Sequence, residues 1–320
     1  MKKNPPRRTT LGSQRRLSSL LFSILAFSGG SASAQSIPNG QGSLNTLEFS
    51  GRSREDTVHR LEWHWKKVHW AEATATAVLA AGAIGLLRVK TGETRWDSVN
   101  RFDGGLRNRL KAGGKTRDRL DRVSGVLALS LTAYPVLVDT FGVVLLGDKN
   151  KEVFGQLLAI QAQAFAMSGF AATATKVVTR RERPFGQDLD CPGPNPKCRG
   201  DTNRSAFSDS AAFAFTGAGL TCVTHKYLGL YGRVGDKVAC GTTLALASAT
   251  ALFRVMADEH WTTDVLVGAG VGLFSGWFMP WVLHFRHDKF KHREGPSSFL
   301  RYTAPYGTRR EVGIRFTGRF

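Results

Sequence analysis

The sequence predicts an all-α protein, a bundle of about six helices that is embedded in a membrane. Six apolar segments of near-spanning length follow one another along the 320 residues, and about twenty residues of helix cross a bilayer. The segments are rich in Ala, Gly, Ser and Thr, which permits close packing of membrane helices. Ionisable residues cluster where segments meet, so the functional site is expected at one end of the bundle.

The first 34 residues are typical of a secretory signal peptide. Six cations precede an apolar run from Leu17 to Phe27, and Ala32-Ser33-Ala34 provides small residues at a cleavage site. An uncleaved anchor is the alternative, which the shortness of the apolar run disfavours. Residues 35–67 form a polar lead-in whose tryptophans suit a membrane interface.

A helical domain is predicted over residues 68–293. Its six apolar segments run from Val68 to Leu87, Val123 to Leu146, Phe154 to Val178, Ala211 toward Tyr231, Val238 to Val255 and Thr262 to Phe285. A mean hydropathy of −0.18 is modest for six spans, so a soluble periplasmic bundle is the alternative. In the tail, residues 294–320, the stretch from Glu311 to Phe320 alternates like a short strand.

The formal net charge is +19, and it is still +13 without the six cations of the leader. Such a charge suits nucleic acid, anionic lipid headgroups or an anionic substrate. Exported proteins seldom meet nucleic acid, and the sequence holds no zinc finger or recognition-helix motif. We therefore expect no nucleic acid, but an anionic membrane surface and a phosphorylated ligand, as partners.

Two basic segments give opposite predictions for the topology. The stretch 88–122 holds eleven Lys or Arg against five acids, and the tail after Phe285 begins with several cations. The positive-inside rule places both in the cytoplasm. Six crossings cannot satisfy both, because they leave the two segments on opposite sides. One of the six segments therefore does not cross, or the first basic stretch is translocated, or no segment crosses. The favoured interpretation is a bacterial inner-membrane protein whose site faces the periplasm.

The four cysteines fall into two groups. Cys191 and Cys198 flank a proline-rich hexapeptide, and a disulfide between them fits an oxidising compartment. A metal pair is the rival interpretation, but no further Cys or His lies in that loop. Cys222 and Cys240 lie in apolar segments and are expected to be buried thiols.

The stretch from Arg254 to Asp264 carries ionisable groups between two apolar segments. His260 and Asp264 are four residues apart, so on a helix they share a face, and the carboxylate can hold one imidazole nitrogen while the other points outward. Arg254 would splay away from His260 on an unbroken helix, so a break is expected near Asp258 and Glu259. The alternative is a solvated turn in which His260 and Asp264 merely cap the second helix.

A second cluster of cations stands at the end of an apolar segment, before Pro184. Pro184 disfavours helical geometry at Arg183, so Arg183 should begin a loop and turn its guanidinium back toward Lys176. Guanidinium and ammonium donors suit a phosphate or another tetrahedral oxyanion. Arg180 and Arg181 are expected to anchor the helix end at lipid headgroups.

Together the two stretches resemble the type 2 phosphatidic acid phosphatase superfamily, which also contains bacterial acid phosphatases and vanadium haloperoxidases. The motifs of this superfamily are Lys-x6-Arg-Pro, Pro-Ser-Gly-His and Ser-Arg-x5-His-x3-Asp. The first is intact from Lys176 to Pro184, and the third is kept from Arg254 to Asp264, with Phe253 in place of the serine. In the middle motif Ser208 matches, whereas the proline, glycine and histidine are replaced by Phe207, Asp209 and Ser210.

The resemblance covers roughly residues 120 to 285 and implies a reaction without metal or other cofactor. His260 would attack phosphorus to give a phosphohistidine, and Asp264 would orient it. The phosphoryl oxygens would be held by Lys176, Arg183, Arg254 and Ser208.

The degenerate middle motif affects the predicted chemistry. The middle histidine of the family protonates the leaving alkoxide, and the hydroxyl of Ser210 is a poor acid near neutrality. Positioned acid catalysis is typically worth ~10²- to 10⁴-fold, and Asp209 adds a negative charge that faces the anion. We therefore predict an impaired phosphomonoesterase acting on lipid or other phosphomonoesters. A catalytically inactive member that binds phosphate or lipid phosphate is the alternative, and a vanadate-dependent peroxidase ranks last, because it too needs the missing histidine.

Overall fold

The computed structural model describes residues 61–91, 93–188 and 202–287, together with the backbone of two strands at 302–307 and 312–317. Seven α-helices occupy the described part and form the predicted all-α bundle. They are α1 (Trp70–Leu87), α2 (Arg101–Leu110), α3 (Gly114–Tyr134), α4 (Lys151–Thr179), α5 (Asp209–Leu228), α6 (Gly232–Met256) and α7 (Thr262–Leu273). Six of them correspond to the six apolar segments, whereas the short helix α2 was not expected.

Two of the helices continue in π-helical geometry. α3 runs on through Pro135–Gly147, and α7 runs on through Phe274–Phe278 and Trp281–Phe285. Proline cannot donate a backbone hydrogen bond and crowds the preceding turn of a helix, which explains why the geometry of α3 changes at Pro135. The Pro135 carbonyl oxygen accepts hydrogen bonds from the Thr140 hydroxyl at 2.9 Å and the Gln161 amide at 3.0 Å.

The central helix of the bundle is α5, which packs against α3, α4, α6 and α7. Glycines set how closely these helices approach. A Cβ atom on Gly217 would lie 2.0 Å from the Leu131 carbonyl oxygen, and one on Gly276 would lie 2.1 Å from the Thr216 carbonyl oxygen. The abundance of small residues in the sequence is thus explained by backbone-to-backbone packing.

Long helices that follow one another in the chain run in alternating directions, so the bundle has two distinct ends. The site end collects α2, the C-termini of α1, α4 and α6, and the N-termini of α3, α5 and α7. It is held by contacts such as the hydrogen bond from the Thr91 hydroxyl to Asn203, at 3.0 Å. The far end collects residues 61–69 and the C-terminal part of the α7 continuation, where His284 Nδ1 lies 3.2 Å from the Lys66 carbonyl oxygen.

Five helices of the described part are long and apolar enough to cross a membrane, namely α1, α4, α6, and α3 and α7 with their π-helical continuations. The outward faces of the bundle expose large apolar side chains, among them Leu129 at 70% and Leu266 at 57%. Such extensive apolar exposure marks a surface that contacts lipid. The chain is therefore a membrane protein, which favours the membrane-embedded prediction over the soluble one.

The expectation of free thiols at Cys222 and Cys240 is wrong. The two residues form a disulfide, with Cα atoms 4.5 Å apart. α5 and α6 are antiparallel neighbours joined by residues 229–231, so two residues at similar distances from this turn come face to face. Cys191 and Cys198, which were predicted to be bridged, lie outside the described residues, as do the predicted leader and most of the lead-in.

The C-terminal tail contains a β-hairpin. β1 (Tyr302–Gly307) and β2 (Val312–Thr317) pair antiparallel, with Tyr302 opposite Thr317. The alternating pattern from Glu311 onward therefore predicted the second strand correctly, and the hairpin is an addition to the helical domain.

Candidate active site

The site end brings the three motif stretches together. Lys176 lies in the last turn of α4 and Arg183 in the loop that follows it, whereas Arg254 lies in the last turn of α6. Their exposed fractions are 6%, 6% and 8%, although cationic side chains are rarely buried. Three buried cations at one end of a bundle require negative partners, either from the protein or from a ligand.

His260 lies in the turn between α6 and α7 and is 1% exposed. Its Nδ1 atom lies 2.8 Å from the carbonyl oxygen of Ser205. Because a carbonyl oxygen only accepts hydrogen bonds, Nδ1 carries the proton in the neutral imidazole and Nε2 keeps its lone pair. Nε2 is buried and has no hydrogen-bond partner in the described part of the chain. This is the tautomer that a nucleophilic histidine needs.

The surroundings of His260 keep it neutral. Burial lowers its pKa well below the usual range, and the positive charges of Arg183, Arg254 and Lys176 lower the pKa further. The negative charge of Asp209 acts in the opposite direction but does not prevail. The imidazole is therefore an unprotonated base at neutral pH.

Asp264 is not hydrogen-bonded to His260, in contrast to the orienting role implied by the resemblance. Its Oδ2 atom accepts a hydrogen bond from the Ser205 hydroxyl at 2.5 Å. The carbonyl of the same Ser205 holds the imidazole, so Ser205 stands between carboxylate and histidine. The reason is local: His260 precedes α7, which begins at Thr262, so the two residues do not share a helical face.

The prediction that Arg181 anchors the chain at lipid headgroups is wrong. Arg181 is 2% exposed and donates to Asp264 at 2.6 Å and to Asp103 of α2 at 2.7 Å. α4 ends at Thr179, and Arg180 takes a left-handed conformation with φ 45°, which turns the next residue inward. Burial alone would raise the pKa of Asp103, but hydrogen bonds from Thr263 and Arg181 hold that pKa below its usual range.

Each of the three buried cations has a carboxylate partner. Lys176 Nζ lies 2.9 Å from Asp209 Oδ2, and Arg183 Nη1 lies 2.6 Å from Glu259 Oε2. Arg254 contacts Asp121 of α3 and lies 3.8 Å from Glu259. The oxygens of a phosphoryl group that bound here would replace these carboxylates as partners of the three cations.

Two serines of the middle stretch lie at the start of α5. Ser208 is fully buried and caps the helix, since its Oγ accepts a hydrogen bond from the Ala211 amide at 3.3 Å. The hydrogen of its hydroxyl is left to donate, and the helix N-terminus itself favours an anion. Ser210 lies in the first turn, where its backbone N–H donates to Asp209 Oδ1 at 3.0 Å.

The expected break in the third motif is confirmed. α6 ends at Met256, and Asp258 in the following turn has φ 59°. The carboxylate of Asp258 is fully buried and accepts two hydrogen bonds from Arg107 of α2, at 2.7 and 2.8 Å. The helix that the sequence did not reveal therefore fixes the turn that carries His260.

A cavity of about 540 Å³ reaches two of the three buried cations from the outside of the bundle. Lys176, Arg183 and Asp209 line its polar end. Its apolar part is lined by side chains of α1 and α5, including Leu87 and Phe213. Leu87 is 59% exposed, so the apolar part opens on the face that contacts lipid.

No group of three or more His, Cys, Asp or Glu side chains within residues 61–91, 93–188 and 202–287 is placed to hold a metal ion.

The comparison with protein families agrees with this arrangement. Residues 157–288 match the model of the PAP2 superfamily, and this range runs from within α4 to just beyond the α7 continuation. No curated protein and no solved structure matches the chain. The matched range holds the first motif, the third motif with Phe253 in place of its serine, and the buried histidine, and the match supports the PAP2 superfamily that the motifs predicted.

Proposed function

We propose that this protein is a phosphomonoesterase that hydrolyses phosphorylated lipids or related phosphomonoesters through a phosphohistidine at His260. The observation that carries the proposal is the buried Nε2 atom, which keeps a free lone pair beside three cations that depress the pKa of the ring. The match to the PAP2 superfamily supports phosphoester chemistry, whereas the residue roles rest on this geometry.

In the first step, Nε2 forms a bond to phosphorus while the bond from phosphorus to the leaving oxygen breaks. Lys176, Arg183 and Arg254 release their carboxylates and neutralise the phosphoryl oxygens, which is the main contribution of a protein to phosphoryl transfer. The ring gains positive charge, which the Ser205 carbonyl stabilises through Nδ1–H.

In the second step, water attacks phosphorus, the bond from nitrogen to phosphorus breaks, and inorganic phosphate leaves. The proton that water releases balances the proton that the leaving alkoxide takes up. Neither Ser210 nor the ionised Asp209 supplies that proton readily, so expulsion of alkoxide should limit turnover. Better leaving groups need less acid assistance.

The cavity that opens toward lipid supports a lipid substrate. A phosphate at Lys176 and Arg183 would leave its apolar chain along Leu87 and Phe213, within the 540 Å³ cavity. A soluble phosphomonoester would fill only the polar end. Comparing phosphatidic and lysophosphatidic acid with a short-chain phosphate therefore tests this part of the proposal.

The second candidate is a family member that binds a phosphorylated lipid without turning it over. The contact of Asp209 with Lys176 at 2.9 Å favours it, because a carboxylate occupies a phosphate ligand. An Asp209→Gly variant should tighten phosphate binding, whereas Ser210→His should mainly raise turnover. The double variant should hydrolyse alkyl phosphates faster by up to ~10²- to 10⁴-fold, if acid catalysis is the whole deficit.

We further propose that the site end faces the periplasm of a bacterial inner membrane. The far end carries Lys66, Lys67 and Arg286, and the positive-inside rule favours the cytoplasm for it. The stretch 88–122, which lies at the site end, argues for the reverse orientation. If the central helix α5 crosses together with the five apolar helices, residues 61–69 are cytoplasmic in the proposed orientation, and a cleaved leader does not fit that orientation.

The direct test is turnover by a His260→Ala variant. Purified protein in detergent would be assayed with nitrophenyl phosphate and with phosphatidic and lysophosphatidic acid. We expect His260→Ala to lose all turnover and His287→Ala, an exposed histidine at the far end, to lose none. An active His260→Ala protein would refute the assignment. If neither wild type nor the double variant hydrolyses any phosphoester while both bind phosphate, the binding function replaces the enzymatic one.

A further inference from the structure

A second polar network lies near the far end of the bundle, away from the phosphate site. His225 of α5 is 2% exposed and Asp139, in the π-helical continuation of α3, is fully buried. His225 Nδ1 lies 2.7 Å from Asp236 of α6, and Nε2 lies 3.3 Å from Asp139. Buried ionisable groups in a membrane bundle are costly and commonly mark a function. The proposed phosphatase reaction makes no use of this network.

Two tyrosines extend the network to a cavity. The Tyr231 hydroxyl donates to Asp139 Oδ1 at 2.6 Å, and the Tyr134 hydroxyl donates to the Tyr231 oxygen at 3.0 Å. Both tyrosines line a cavity of about 420 Å³ between α3 and α6. The rest of the lining is mainly apolar and includes Leu131 and Leu246.

The hydrogen-bond chain determines what the polar end of this cavity offers. Tyr231 donates its hydroxyl hydrogen to Asp139, and Tyr134 donates its hydroxyl hydrogen to Tyr231. The free lone pairs of Tyr134 are therefore left to accept, so a ligand that binds the Tyr134 hydroxyl donates a hydrogen bond to it.

Charge narrows the class of ligand. Two carboxylates against one imidazole leave no surplus positive charge, so a phosphate is disfavoured. Asp139 has no exposed surface, and the cavity therefore presents a neutral phenol rather than a carboxylate that could hold an ammonium group. A neutral alcohol fits both the charge and the hydrogen-bond role.

Size and access indicate a long apolar chain. Cavities of about 300–1,000 Å³ hold small ligands, and the volume here lies within that range. Val238, on the rim, is 60% exposed on the outer face of α6, so a ligand enters from the bilayer.

We propose that the cleft between α3 and α6 is a binding site for a long-chain lipid alcohol, whose hydroxyl donates to Tyr134. The site is separate from the phosphate site, and its occupation does not require that the phosphatase reaction occurs. The lipid product of that reaction belongs to the same chemical class, so the cleft offers a second place where a dephosphorylated lipid can bind.

The test is photoaffinity labelling of the full chain in lipid nanodiscs with a diazirine-bearing hexadecanol. Labelled peptides should fall within residues 127–134 and 231–246, and excess hexadecanol should suppress the labelling far better than hexadecyl phosphate. The probe should label His260→Ala as strongly as wild type, which keeps this test independent of the proposed reaction.

Two variants examine the polar and apolar parts separately. Tyr134→Phe should weaken probe binding by about three- to tenfold, the value of one hydrogen bond, whereas Tyr227→Phe, outside the cavity, should not. Thr242→Trp should block the cavity from its exposed rim while leaving the network intact. Labelling that is spread evenly over lipid-facing helices, that both variants leave unchanged, or that hexadecyl phosphate suppresses equally would overturn the proposal.

Discussion

Ser205 shows how a single residue couples two residues of the candidate site that are not hydrogen-bonded to each other. Its hydroxyl binds Asp264 at 2.5 Å while its carbonyl binds His260 at 2.8 Å. Arg181 holds the other oxygen of Asp264. The carboxylate therefore positions the histidine through Ser205, and the orientation of the imidazole depends on the backbone of this loop.

Removing the Ser205 hydroxyl should loosen this support. We expect Ser205→Ala to lower kcat about ten- to hundredfold, since a hydrogen bond to a charged group is worth about 1.5–3 kcal/mol. KM should change little, because the hydroxyl faces Asp264 and not the phosphate cations. Ser205→Thr keeps a hydroxyl and should retain most of the rate. Equal losses in both variants would show that the serine matters only for packing.

The depressed pKa of His260 predicts the pH dependence of catalysis. A nucleophile must be unprotonated, so kcat/KM rises through the pKa of the free enzyme and is flat above it. Its acidic limb should lie well below about pH 6.5, the usual histidine value. The limb should move to higher pH in Lys176→Met, which removes one of the charges that lower the pKa.

The substrate phosphate also titrates near pH 6. The acidic limb is therefore assigned to His260 by comparing wild type with the variants, which share the same substrate. Lys226→Met, which removes a cation at the far end, serves as the control and should leave the profile in place. Identical acidic limbs in wild type and Lys176→Met would mean that the observed titration belongs to another group.

At the level of single residues, the sequence predicted more of the candidate phosphate-binding residues than of the residues that support them. The spacing of the first and third motifs correctly indicated that Lys176, Arg183, Arg254 and His260 lie at one end of the bundle. Ser205 and Asp103 were missed, because their partners are many residues away and leave no local pattern. Asp264 was placed wrongly relative to His260, because the expected helix begins only after the histidine.

Among the elements, the long helices were predicted well and the short ones poorly. Apolar length alone indicates a membrane helix, which located the six segments. α2 has no continuous apolar run and was therefore missed. α3 begins at Gly114, but its first turns are polar, so the apolar pattern placed its start near Val123. The contacts that hold α2 are ionic, such as those between Arg107 and Asp258. Contacts of this kind leave no periodic pattern of apolar residues in the sequence.

Close packing of α5 and α7 should be sensitive to one methyl group. A Cβ atom on Gly272 would lie 2.4 Å from the Ala212 carbonyl oxygen, whereas one on Gly270 of the same helix would meet nothing within 4 Å. Gly272→Ala should therefore lower the free energy of unfolding by about 1–3 kcal/mol or more, as overpacking does.

Gly270→Ala is the matched control for this change. It should be neutral or stabilise by up to about 1 kcal/mol, because alanine favours the helix. Thermal unfolding of both variants in one detergent would compare them. Equal melting temperatures would contradict the close approach of the two helices.

On the scale of the whole molecule, the order of the helices determines that the site lies on one side of the membrane and that the segments before α1 and after α7 both lie on the other side. Residues 61–69 and Arg286 share the far end, and the site occupies the other end. A site that faces the periplasm agrees with a cytoplasmic basic tail. A site that faces the cytoplasm agrees with a cleaved leader and a cytoplasmic stretch 88–122. Charge counting could not choose between them, because both ends are basic.

Labelling of engineered cysteines in intact cells would determine the orientation. An impermeant maleimide should label Asn108→Cys, on the exposed face of α2, without lysis, and should label His287→Cys only after the membrane is opened. The parent protein measures the background from native cysteines. The reverse pattern would place the site in the cytoplasm and would support a cleaved leader.

His260 is the nucleophile of the proposed reaction, and the covalent intermediate tests this role directly. Protein that is mixed with excess substrate and quenched at alkaline pH, where phosphohistidine persists, would be digested and its peptides weighed. We predict one phosphoryl group on the peptide that contains His260, none in His260→Ala, and more of it in Ser210→His if the added acid speeds its formation. A phosphoryl group on any other residue, or steady turnover with no phosphoryl group on His260 at any time, would contradict the account.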